Sequence, residues 1–77
     1  MTKDQLIFLI QTKKEFEFSF NNKNYNLTYD KDDSGKEWIV FGERYEGKKF
    51  DSFGELMNKA KVENHFFREL LPELNCQ

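Results

Sequence analysis

Apolar residues recur along this chain with two different periods, and the change from one to the other divides it into elements. Between Leu6 and Ile10 the period is helical. At 100° per residue, Leu9, Leu6, Ile10 and Ile7 share one arc of about 160°, while Phe8 falls outside it. Thr2 stands three residues before Gln5, the spacing of a capping box, and Asp4 suits the positive end of a helix dipole. Lys13 and Lys14 suit the negative end. The pattern predicts a helix from about Thr2 to Lys13.

The period then shortens to two. Glu15-Phe16-Glu17-Phe18-Ser19-Phe20 alternates strictly, as does Tyr25-Asn26-Leu27-Thr28-Tyr29-Asp30. Asn21-Asn22-Lys23-Asn24 between them is rich in residues that tolerate left-handed turn conformations. A hairpin centred on Asn22-Lys23 would set Phe20 opposite Tyr25, Phe18 opposite Leu27 and Phe16 opposite Tyr29. Ser19 would face Asn26, Glu17 would face Thr28 and Glu15 would face Asp30. One face is then wholly apolar and the other polar, which fixes the strand faces strongly.

Lys31-Asp32-Asp33-Ser34-Gly35-Lys36 reads as a turn, and Glu37–Phe41 as a third strand with room to continue to Tyr45. Its four consecutive apolar residues leave two parities open. We favour the one that sends Ile39, Phe41 and Tyr45 inward and leaves Trp38 and Val40 on the outer face. Glu46-Gly47 is a further turn before a short fourth strand, Lys48–Phe50. Ser52 and Glu55 have capping-box spacing, with Asp51 as an alternative cap. Phe53, Leu56, Met57 and Ala60 then follow helical spacing, as do Phe67, Leu70, Leu71 and Leu74. Two readings stand: one helix over 52–71, or two broken at Glu63-Asn64-His65, with Pro72 ending either. The predicted fold is a single α+β domain over 1–77, ordered α-β-β-β-α. Its antiparallel three-stranded meander, with the short fourth strand as an extension, carries the helices on one face.

Composition narrows the function classes. The 77 residues carry 12 Lys+Arg against 14 Asp+Glu, a net charge of −2, which argues against a polyanion binder. Although 34% of residues are charged, 17% are aromatic, and disordered chains are poor in aromatics. Each ring can bury about 150–250 Å², so the rings supply a core where Leu, Ile and Val are scarce. The apolar run Leu6–Ile10 follows an acidic residue and is too short for a signal peptide or a membrane span. With one cysteine, this leads us to expect a cytoplasmic protein without membrane contact.

Candidate chemistry is sparse. His65 is the one histidine, beside Phe66-Phe67, and reads as an exposed helix or loop residue. Cys76 lies one residue from the end, where a nucleophile cannot be positioned. Glu15 and Glu17 share the polar face of the first strand and should be solvated, whereas acid–base work needs burial to separate two carboxyl groups. Asp30, Asp32, Ser34 and Gly35 partly match a calcium loop. However, Ser34 replaces an acidic position and Glu37 comes too early to complete it. Gly35, Gly42, Gly47 and Gly54 are too scattered for a phosphate loop. We expect no catalytic residue, metal or cofactor, and no enzymatic activity.

The order α-β-β-β-α resembles that of the double-stranded-RNA-binding domain, and Lys59-Ala60-Lys61 is similar to part of its basic second helix. That family contacts phosphates with lysines where its second helix begins; here the corresponding stretch holds Asp51, Ser52 and Glu55. The family's Gly-Pro-x-His loop also has no counterpart, so a nucleic-acid-binding domain of that topology is the alternative reading and nucleic acid is disfavoured. Gly35-Lys36-Glu37-Trp38-Ile39-Val40-Phe41 and Phe50-Asp51-Ser52-Phe53, with Glu55-Leu56, resemble short uncharacterised bacterial proteins, a likeness that implies no activity. The leading reading is a small accessory protein that binds an unknown protein partner, or a second copy of itself, through the outer sheet face. The candidate interface residues are Trp38 and Val40, or Ile39 and Phe41 if the parity is reversed, with Thr28 and Glu17 beside them.

Overall fold

A computed structural model describes residues 1–43 and 46–74, so the expectations for Tyr45 and Cys76 lie outside the described residues. The first helix, α1, spans Lys3–Gln11. Its capping box forms as read: the Gln5 amide donates to the Thr2 hydroxyl, and the Thr2 amide donates to the Gln5 side chain. The helix stops two residues before the predicted end because Lys13 turns left-handed at φ 56°. The Lys14 amide then reaches back to the Leu9 carbonyl and the Lys13 amide to Ile10, the double closure of a Schellman motif. Leu6 is fully buried, Leu9 and Ile10 pack against the core, and Phe8 is 56% exposed.

Strands β1 (Phe16–Phe20), β2 (Lys23–Lys31), β3 (Glu37–Glu43) and β4 (Lys48–Phe50) form one antiparallel meander in sequence order. The α+β architecture and the short fourth strand are as predicted, but the first hairpin register differs by two residues. Phe20 pairs with Lys23, Phe18 with Tyr25, Phe16 with Leu27, and Glu17 with Asn26. The reason lies in the turn. Asn21 and Asn22 both adopt positive φ, 51° and 66°, giving a tight two-residue loop whose twist matches the strands. A slip of two preserves every face, because side chains alternate with period two.

The parity of β3 is settled by its neighbours. Ile39 pairs with Tyr29 and Phe50, and Phe41 pairs with Leu27, so both point into the core at 6% and 2% exposure. As interface candidates, Ile39 and Phe41 are therefore corrected: they are core residues. The rings assemble a stack, with Phe67 4.2 Å from Phe41 and 6.0 Å from Phe18 between ring centroids. Phe18 also stacks 5.5 Å from Tyr25.

The single-helix reading of 52–71 is overturned. Helix α2 (Phe53–Lys59) ends where Ala60 becomes extended, and Lys61–Val62 (β5) pairs with His65–Phe66 (β6). Helix α3 (Phe67–Leu70) and a 3-10 turn at Leu71–Glu73 containing Pro72 follow. Val62 explains the break. On one continuous helix it would lie about 180° from Phe53, facing water. The extended link instead buries it completely, and the Phe67 amide closes the excursion on the Ala60 carbonyl at 2.9 Å. Leu6, Leu56, Met57, Phe67, Leu70 and Leu71 meet the inward residues of the sheet in one core. All the helices thus lie against the same face.

Candidate sheet interface

The outward residues of the sheet form rows across the strands. Thr28 lies between Val40 and the strand β1 side, Val40 pairs onward with Lys49, and Asp30 pairs with Trp38. Glu17, Asn26 and Gly42 form the next row. Trp38, Val40, Thr28 and Glu17 are therefore brought to one surface, as the sequence suggests, but the chain covers part of it.

Trp38 is held by its own hairpin turn. The indole Nε1–H donates to Asp32 Oδ2 at 3.1 Å, and Lys36 Nζ sits 4.1 Å from the ring centroid. The other Asp32 oxygen accepts from the Ser34 hydroxyl and from the amides of Ser34 and Lys36. These bonds, with those to the Ser34 and Trp38 side chains strongest, hold its carboxyl well below the usual range. The acidic residue that looked like part of a cation loop is thereby occupied in organising the turn. Val40 is covered differently: a Cβ on Gly47 would come within 2.7 Å of its Cγ1. Gly42, beside it, lies so near the Glu46 carbonyl and Gly47 Cα that a Cβ there would be 3.1 Å from each. Glu46 and Gly47 thus pack onto β3 beside Val40 and Gly42.

The polar end stays open. Glu17, Ser19 and Asn24 are exposed, Asn26 and Thr28 half-buried, and the Ser19 hydroxyl donates to Asn24 Oδ1 at 2.8 Å. Glu15, Phe16, Glu17, Asn26 and Thr28 line a shallow cavity of about 180 Å³ there. On the opposite face the Tyr29 hydroxyl lies within hydrogen-bonding distance of the Leu9 and Lys14 carbonyls, 3.1 and 2.8 Å, which share its one proton and tie α1 to the sheet. Burial, with Glu15 adding a smaller effect, pushes that hydroxyl up to about 12. Tyr25 is raised as well, by burial and then by Glu63 and Glu43. Glu37 is lowered by its bond to Lys13.

Cations and acids alternate over the surface. Lys36 pairs with Asp51, Lys49 with Asp30, Lys23 with Glu43 and Glu63, and Lys59 with Glu55. The lysine pair that prompted the comparison with an RNA-binding helix is separated: Lys59 ends α2, while Lys61 lies in β5 over the Phe66 ring. His65 is exposed on β6 and meets the edge of Phe20 at 6.2 Å. No protein-family model, curated protein or solved structure matches the chain, so the reading rests on this geometry. The clamps from Asp32, Lys36 and Gly47 escaped sequence reasoning. Of these, only the Asp-x-Ser-Gly composition of the turn gave any signal.

Proposed function

We propose that the protein works by binding a protein partner across the open, polar end of its outer sheet face rather than by catalysing a reaction. The observation that carries this reading is the one-sided placement of α1, α2 and α3, which leaves Glu17, Asn26 and Thr28 in contact with solvent. Half-buried Trp38 and Val40 border that surface and hold its shape, since their immediate contacts come from the chain itself. A rigid strand platform loses little conformational freedom on binding, which favours recognition by such a face. No helix among the described residues is long and apolar enough to cross a membrane. We place the protein in a bacterial cytoplasm on the strength of its composition and its lone cysteine.

A photo-crosslinking residue at Thr28 tests the reading in cells of the source organism. One discrete adduct should form, and Asn26→Arg should abolish it; a crosslinker at Asn58 on α2 should give none. Absence of the Thr28 adduct, or an adduct indifferent to Asn26→Arg, overturns the proposal.

A further inference from the structure

We infer that the free edge of β1 is a self-pairing surface, through which two copies join antiparallel about Phe18 and merge two four-stranded sheets into one. The inference is independent of what the outer face binds. It begins with backbone bookkeeping. In a two-residue hairpin the closing pair exchanges both its hydrogen bonds, and such pairs recur at every second residue. Phe20, Phe18 and Phe16 therefore direct their amides and carbonyls toward β2. The second hairpin agrees: the Asp32 amide bonds to the Lys36 carbonyl, so even-numbered residues of β2 face β3 and odd-numbered ones face β1. Glu17 and Ser19 are left pointing their backbone groups off the sheet, and both residues are exposed.

That edge carries one charge, Glu17, and otherwise lacks the usual safeguards. It has no lysine, proline or bulge, and its Phe-Glu-Phe-Ser-Phe sequence is extended throughout. Its pattern is also symmetric about Phe18, as a two-fold interface requires. Centring the pair on Phe18 sets Glu17 opposite Ser19 of the second copy, and Ser19 opposite Glu17, so that all four outward backbone groups on each strand find partners. Phe18 then faces its own copy and Phe16 faces Phe20, in the close, non-hydrogen-bonded positions. All three rings are only half-buried in the single chain. The neighbouring registers are worse. Centring on Glu17 opposes two like charges, and centring on Ser19 calls on Asn21, whose positive φ removes it from the strand.

Sedimentation velocity across micromolar to millimolar protein, with reductant present to silence Cys76, tests this directly. The chain should dimerise with rising concentration. Ser19→Lys, which sets a cation against Glu17 of the second copy twice over, should tighten the dimer roughly three- to tenfold, and Ser19→Glu should loosen it by a similar factor. Ser19→Pro should remain monomeric, because it deletes only an outward amide. A chain that stays monomeric at millimolar concentration overturns the inference. So do Lys and Glu variants that associate alike, and a folded Ser19→Pro protein that dimerises like the parent. If the proline variant fails to fold, the two charge variants decide.

Discussion

The two edges of the sheet are built on opposite principles. β4 is three residues long, offers Lys48 and Lys49, and follows Gly47, which lies against Val40 on the outer face. Lys49 is further engaged with Asp30 at 3.3 Å. β1 is five residues long and carries neither cation nor bulge. Short length and lysine are standard ways of keeping a strand edge from pairing with another chain. One edge is thus closed to further strands, and the other is left able to accept one. The contrast teaches that exposure of backbone groups in this domain is selective.

The largest expected effect comes from breaking what ties the open edge to the body. Phe67 is fully buried and stacks on both Phe18 of β1 and Phe41 of β3, so Phe67→Ala should cost about 3–5 kcal/mol in urea unfolding. Hydrogen exchange should accelerate more in β1, whose Phe18 stacks directly on Phe67, than in β4; equal losses at both edges would refute the contrast.

A smaller effect is expected at Tyr29, which holds α1 over the β1 side. Tyr29→Phe removes the single hydroxyl proton shared between two carbonyls and should lower stability by about 1–2 kcal/mol at neutral pH. The pH dependence has a definite sign. The folded hydroxyl titrates near 12, above an unfolded value of about 10, so its contribution is complete below pH 10 and is lost as pH rises toward 12. Thermal melts should show the parent losing stability across that window more steeply than the Phe variant.

The smallest change in monomer stability, within about 0.5 kcal/mol, is expected from replacing Lys48 and Lys49 together by Thr. The same double variant should convert β4 into a second accepting edge. Sedimentation would then show species larger than a dimer, and an unchanged profile would mean that the lysines do not guard the edge.

Much of the fold was legible because local chemistry and tertiary demand agree. The two caps at Thr2 and Ser52 and the alternation of β1 and β2 follow from spacing, whereas the unbroken apolar run of β3 left its parity to be settled by its neighbours. The failures have physical causes. Lys13 ends a helix in a conformation usually given to glycine, and Asn21-Asn22 takes a tighter turn than the four-residue polar run suggested. Phe53 and Phe67 lie within about 40° of each other on an ideal helix, so periodicity alone could not reveal the hairpin between them. The burial of Val62, which a single helix would turn to water, distinguishes the two arrangements together with the β5–β6 pairing. At the candidate site, Trp38 and Val40 could be read as a pair. Their covers could not, because one is a hydrogen-bonded turn with a lysine over the ring and the other the backbone of Gly47.

The seating of Trp38 has a practical consequence for how the molecule is watched. It is the only tryptophan, and it belongs to the β2–β3 turn rather than to the ring stack of the core. Intrinsic fluorescence therefore reports whether Asp32 and Lys36 still grip the indole, while far-ultraviolet circular dichroism follows the sheet and helices. An emission change that precedes the loss of ellipticity would mark the turn letting go, with the core still intact.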